Sequence, residues 1–281
     1  MLTRMEVESA LPGAPAIPLG GFMPNNDPVQ IRKIDGLGPV KSDVASTPFA
    51  TGRGELYQGS STGKRNIVLT LGLNPNWVNQ TMSSLRQLLY RYFMPETWAK
   101  LRFITDDLPT VYINGVVESF EPNIFEQDPE IQVSILCPKP DFIDVNATLI
   151  YGATDPTATT LIEYIGTTPT GFELVIESAP ALGSYSGEIV VSNVVGPYAQ
   201  RFAAQSVVVN PTLYFRMNTA RSTRYIRSVA VSSGSMINIL EKMEAASSWP
   251  EFNPGDNTFS VKTAPAGLKW SLGYFNRFGG L

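Results

Sequence analysis

Apolar and polar residues alternate with a period of two along most of this chain, which is the signature of half-buried β-strands. Val29, Ile31 and Lys33 alternate with Gln30, Arg32 and Ile34 in an imperfect strand that Gly36-Leu37-Gly38-Pro39 ends in a turn. A Gly-rich stretch follows (Gly52, Gly54, Gly59, Gly63), then strand Ile67–Leu73, stopped by Asn74-Pro75. The first 23 residues read as an irregular strand or hairpin. Further strands are expected at Lys100–Thr105, Thr110–Glu121 and Glu130–Leu136.

One segment breaks the pattern. Leu85, Leu88, Leu89, Tyr92 and Phe93 follow the helical repeat, predicting a helix over Asn79–Phe93 with Asn79 as its cap and Pro95 as its stop. Asn114-Gly115 signals a hairpin taken alone, but its flanks are short, and a strand kinked or bulged at Gly115 is the preferred reading.

Pro138-Lys139-Pro140 reads as a stiff linker, so two domains are expected, 1–140 and 141–281. In the second half, short β segments recur between turns: Thr148–Tyr151, Thr160–Ile165, Phe172–Ile176, Glu188–Asn193, Ser206–Asn210, Thr212–Met217, Tyr225–Val231, Thr258–Lys262 and Leu268–Tyr274. That spacing predicts a sandwich or barrel, with Met236–Ala246 a short helix or a strand plus loop. The expected fold class is mainly β, with one helix in the N-terminal domain.

Composition narrows the chemistry. The chain has no His, which removes the Ser-His-Asp and Cys-His catalytic sets and the commonest metal ligand. Its one Cys, Cys137, forms no internal disulfide or thiolate zinc site and is expected to be a buried apolar thiol. Residues 1–140 hold 12 basic and 14 acidic side chains and residues 141–281 hold 9 and 11, so neither half has the positive surplus that phosphate binding needs. Sequence-specific nucleic-acid binding is not expected, and no cofactor or metal is implied. No stretch of about 20 apolar residues exists to span a bilayer. Glu6, Glu8 and prolines interrupt the first residues, so a signal peptide is not expected, and assembly in a cytoplasm is.

Three motifs resemble chemistry without its requirements. Gly59–Arg65 echoes a phosphate-binding loop, with one residue too few between its glycines and Arg65 where Ser or Thr should be. Asp106-Asp107 reads as a turn. Glu126, Asp128 and Glu130 have alternate spacing but lack the Gly and distant Glu of a calcium loop.

The charge order is more informative. From Asp106 to Glu130 every charge is acidic (Asp106, Asp107, Glu118, Glu121, Glu126, Asp128, Glu130); between Glu188 and Glu241 every charge is an arginine, at Arg201, Arg216, Arg221, Arg224 and Arg227. One reading is solvated strand faces. The other is two interaction surfaces, the arginines gripping an acidic partner or anionic glycan through their planar forks.

Ordered landmarks carry a family resemblance. They are Ile34-Asp35-Gly36-Leu37-Gly38-Pro39, Arg65-Asn66-Ile67-Val68-Leu69, the helix with Tyr90-Arg91-Tyr92-Phe93, Tyr112-Ile113-Asn114-Gly115, Ser134-Ile135-Leu136-Cys137-Pro138 with Pro140, Pro254-Gly255-Asp256-Asn257 and Phe278-Gly279-Gly280-Leu281. Together they resemble the distal tail proteins of siphophages. The resemblance implies a virion structural protein and not an enzyme: a β-rich N-terminal domain in a homohexameric ring at the tail tip, and a peripheral galectin-like β-sandwich. It implies the tail tube protein, the tail hub or spike protein and receptor-binding or side fibre proteins as partners, with tape-measure protein and DNA in the lumen. The alternative is a carbohydrate- or host-receptor-binding virion protein, with Trp249 as the candidate glycan contact and Trp270 expected in the core.

Overall fold

In the computed structural model, residues 2–9, 15–20, 27–76, 78–123, 129–178 and 183–281 are described. They form two compact units, one of residues 1–145 with 278–281 and one of residues 146–277. The Pro138–Pro140 linker therefore lies inside the first unit, where the Pro140 carbonyl accepts a bond from Arg65, and the last four residues return to that unit.

The first unit runs β1 (Leu2–Ser9), β2 (Ile17–Pro18), β3 (Val29–Asp35), β4 (Ser42–Pro48), β5 (Glu55–Thr62), β6 (Arg65–Leu73), α1 (Met82–Phe93), β7 (Trp98–Thr105), β8 (Val111–Pro122), β9 (Glu130–Cys137) and β10 (Phe142–Asp144). Its main sheet has the order β2-β1-β7-β8-β9-β6-β3, with antiparallel neighbours and β10 beside β8. Period-two alternation puts Met5, Val7, Ile67, Leu69, Leu101, Phe103, Ile113, Val133 and Ile135 on one buried face. Leu85, Leu89, Tyr92 and Phe93 of α1 join the same core, one stripe of the helical period.

The helix starts later than the sequence suggests. Thr81, not Asn79, is the cap: its Oγ1 accepts from the Ser84 amide at 3.1 Å, and the Ser84 hydroxyl accepts from the Thr81 amide at 2.9 Å. This reciprocal box satisfies two orphan donors, which lone Asn79 does not.

Strand β8 passes through Asn114-Gly115 without turning or bulging there. Glycine is required because β9 crosses so close: a Cβ would stand 2.5 Å from Ile135 Cγ2 and 2.8 Å from Cys137 Sγ. The irregularity lies further on, between Val117 and Ser119.

The second unit runs β11 (Thr148–Ala153), β12 (Thr160–Tyr164), β13 (Phe172–Glu177), β14 (Tyr185–Val195), β15 (Tyr198–Val209), β16 (Leu213–Asn218), β17 (Tyr225–Ala230), β18 (Met236–Asn238), β19 (Gly255–Thr263) and β20 (Lys269–Tyr274); the two-residue β21 (Arg277–Phe278) that follows pairs with β10 in the sheet of the first unit. Two sheets, β11-β20-β13-β16-β17-β18 and β12-β19-β14-β15, share one apolar core that includes Phe215, Leu272 and Trp270 from the first and Phe202, Phe259 and Tyr164 from the second. This is the sandwich the short-strand spacing predicts. Residues 236–246 resolve as β18 followed by a 3-10 turn at Leu240–Lys242.

Candidate assembly interface

Strands β4 and β5 stand apart from everything else. Among the described residues they pair only with each other, and 14 of their 15 residues are exposed. No residue of the ribbon enters either core. It nevertheless carries exposed Val44, Leu56 and Tyr57, the last 63% exposed, with Phe49 at its tip. An isolated two-stranded hairpin is marginal in water, and apolar side chains on both strands are unrewarded unless something covers them.

The base of this ribbon is rigid. Arg65, the first residue of β6, is 2% exposed and its guanidinium bonds four backbone carbonyls. Nη1 donates to Gly36 O and Gly38 O at 2.6 Å each, Nη2 to Gly279 O at 2.6 Å, and Nε to Pro140 O at 2.7 Å. The group also sits 4.5 Å over the Phe142 ring. The Gly36–Gly38 loop leads into β4 and Arg65 leads out of β5, so one side chain ties both roots of the ribbon together. Gly36 has φ +89°, and a Cβ there would stand 2.0 Å from Asn66 O. Leu281 N donates to Leu37 O at 3.0 Å, and Gly280 packs on Pro39. Burial pushes the Arg65 guanidinium below its ordinary value, with Cys137 and Asp141 acting the other way. Burial pushes the Cys137 thiol up to about 11, so the cysteine is a neutral buried group. The Gly59–Arg65 echo of a phosphate loop thus contributes a structural arginine.

Three of the acidic residues, Glu118, Glu121 and Glu130, share the outer face of the main sheet. Glu121 pairs with Gln132, Glu130 lies two residues from Gln132, and Glu118 Oε2 accepts from the Ser134 hydroxyl at 2.9 Å. The bulge makes this possible. Residues 118 and 121 differ by an odd number and would face opposite ways in a regular strand; the extra residue at Val117–Ser119 resets the phase and turns Phe120 toward the core. Glu126 and Asp128 lie outside the described residues. Elsewhere on this face the charges are paired: Lys100 with Glu8 at 3.0 Å, and Arg102 with Glu6 and Glu8 at 3.5 Å.

In the second unit most of the arginines are engaged internally. Arg221 grips the largely buried Glu251 with both forks, at 3.0 Å from Nε to Oε1 and from Nη2 to Oε2, and Arg224 Nη2 adds a 2.9 Å bond. Arg216 bonds Glu173 across β16 and β13. Arg201 bridges Glu188 at 3.1 Å and Glu244 at 2.8 Å, and with Gln205 it holds the Glu244 carboxyl below its usual range. Arg227 rests 4.2 Å over the Tyr225 ring. Trp249 is half-buried, 5.6 Å from the Phe202 ring, with Arg224 5.8 Å above its own. Trp270 packs in the core against Gly152, as expected. Sequence reasoning missed Glu251, whose partners are 30 and 27 residues away.

No protein-family model and no curated protein matches the sequence. Among solved structures, the chain is similar to the Dit (gp 19.1) protein of phage SPP1, described as a paradigm of the hub adsorption apparatus in Gram-positive infecting phages. That match has a TM-score of 0.68 at 14% identity and covers 98% of this chain and 99% of that one. The two folds are the same. Chains from the activated baseplate of phage P2 also align. The form with Ca gives a TM-score of 0.47 at 8% identity over 100% of both chains, and the form with Sr gives 0.44 at 9% over 99% of both; neither is close enough to carry an argument.

Proposed function

We propose that this chain is a structural protein of a long-tailed phage virion, a distal tail protein whose first units close into a ring at the tail tip. The observation that carries the reading is the projecting β4–β5 ribbon on its Arg65-clamped base, supported by the fold shared with the SPP1 Dit protein. A ribbon with two free edges and exposed Val44, Leu56 and Tyr57 gains a covering surface when it lies on the neighbouring copy. Such a contact joins different surfaces of identical copies, and when the rotation closes it gives a ring without filament growth. Six copies is the number the family resemblance implies.

In this reading the ring joins the tail tube protein on one side to the tail hub or spike protein on the other, and receptor-binding or side fibre proteins dock at its periphery. Tape-measure protein and DNA pass through the lumen. The outer sheet face with Glu118, Glu121 and Glu130 suits a lumen wall, because carboxylates repel a sliding phosphate backbone. The molecule acts as scaffolding and not as a catalyst.

Native mass measurement tests the reading. The wild-type chain, alone or mixed with its tail tube and hub proteins, is expected to form closed multimers, and Val44→Asp with Tyr57→Asp is expected to reduce them to small species while both units stay folded. A wild-type chain that stays outside any multimer in all these mixtures overturns it.

A further inference from the structure

A sheet's outermost strands present unpaired amides and carbonyls, and most of those described here are protected. The free side of β15 is taken by the chain itself: Glu244 N donates to Ala203 O at 3.0 Å, Ser248 N donates to Arg201 O at 2.8 Å, and Ser247 Oγ accepts from Ala203 N at 2.9 Å. Strand β12 carries Glu163 and β3 carries Arg32 and Lys33, while β18 and β2 are only three and two residues long. Charge and shortness are the usual defences of an edge.

Among the described residues, strand β11 has none of them. Thr148–Ala153 contains no charge and no proline, and all six residues pair with β20 on one side in unbroken register. It is the end strand of its sheet. Ile150 turns toward the core, while Leu149 and Tyr151 point outward, 59% and 72% exposed.

We propose that β11 is a self-complementary docking edge, pairing antiparallel with β11 of a second copy so that the six-stranded sheet continues across a two-fold axis. Centred on Ile150, that register sets Leu149 opposite Tyr151 of the second copy and Tyr151 opposite its Leu149, with Thr148 opposite Gly152. The outer face then holds two aliphatic–aromatic cross-strand pairs, and the absence of charge leaves no like-charge pair to oppose them. A two-fold contact satisfies both free edges at once, which a heterologous contact does not. The contact uses only the second unit and is independent of the ribbon.

Light scattering on the full-length protein tests this. Tyr151→Lys, and separately Leu149→Glu, is expected to halve the mass of the wild-type assembly, whether or not a ring forms; a ribbon variant is expected to keep the two-copy contact. Equal masses for wild type and both edge variants overturn the proposal. The register has its own test, because the sole native cysteine is buried. A mixture of Leu149→Cys and Tyr151→Cys proteins is expected to oxidise to cross-linked pairs in larger yield than either protein alone. No excess in the mixture overturns the register and the proposal with it.

Discussion

The guanidinium of Arg65 donates to the carbonyl of Gly279 at 2.6 Å, joining residues 214 positions apart in the chain. The same group holds Gly36, Gly38 and Pro140. The landmarks that carry the family resemblance, Gly36 to Pro39, Arg65, Pro140 and Phe278 to Leu281, are therefore one spatial site, and the ribbon grows from it. The site is a clamp, with glycines where the backbone must approach and an arginine where carbonyls converge.

Replacing Arg65 by Ala strands four carbonyls, so the first unit is expected to lose about 3–5 kcal/mol. Arg65→Lys recovers only part, because one ammonium cannot serve carbonyls on three segments. Chemical denaturation followed by a probe in each unit checks this; the second unit should be unmoved.

Gly115→Ala is expected to destabilise the first unit by about 1–3 kcal/mol, because its Cβ must displace Ile135 and Cys137 in a packed core. The double variant Gly115→Ala, Cys137→Ala should recover part of that loss in the same denaturation experiment.

Deleting Glu118 is expected to be mild, about 1 kcal/mol or less, because removing the bulge residue leaves Val117 and Phe120 facing inward in a regular strand. Deleting Asn114 from the same strand reverses the phase of Val111 and Ile113 against the core and is expected to unfold the unit. Circular dichroism of the two deletions separates these outcomes.

Most strands and the helix were legible because each has a core face, and burial imposes the period that sequence shows. The ribbon was read as a Gly-rich stretch for the complementary reason: with almost every position exposed, no alternation is selected in Ser42–Thr62. The helix start moved from Asn79 to Thr81 because a reciprocal cap depends on the residue three positions on, here Ser84. Arg65 and Glu251 were not legible as anchors, since their partners lie far along the chain and no local pattern marks them.

The Cys137 thiol is expected to resist alkylation in the folded chain and react at once in denaturant. Its folded value is raised from 9.0 to about 11, so its contribution to stability is fully present below 9.0 and is lost as pH climbs through about 11. Labelling with an alkylating reagent at pH 8, with and without denaturant, checks the first point. A stability profile of Cys137→Ala against wild type over pH 8 to 11 checks the second: the two curves should converge upward in pH.

Glu251 is the last test, because one carboxylate serves two arginines while its backbone is held by other bonds. Its amide also takes a 2.8 Å bond to Gln200, and its carbonyl accepts from the buried Asn193 at 2.8 Å, so the backbone is held independently of the side chain. Glu251→Gln should therefore leave the segment in place yet free Arg221 and Arg224, at a cost of about 1–3 kcal/mol to the second unit. With the carboxylate gone, Arg224 loses the bond that positions it over Trp249. The checks are the denaturation midpoint and the tryptophan emission of this unit. A Glu251→Gln protein as stable as wild type, with unchanged emission, would mean that the pair contributes only surface charge and that the arginines are available to a partner after all.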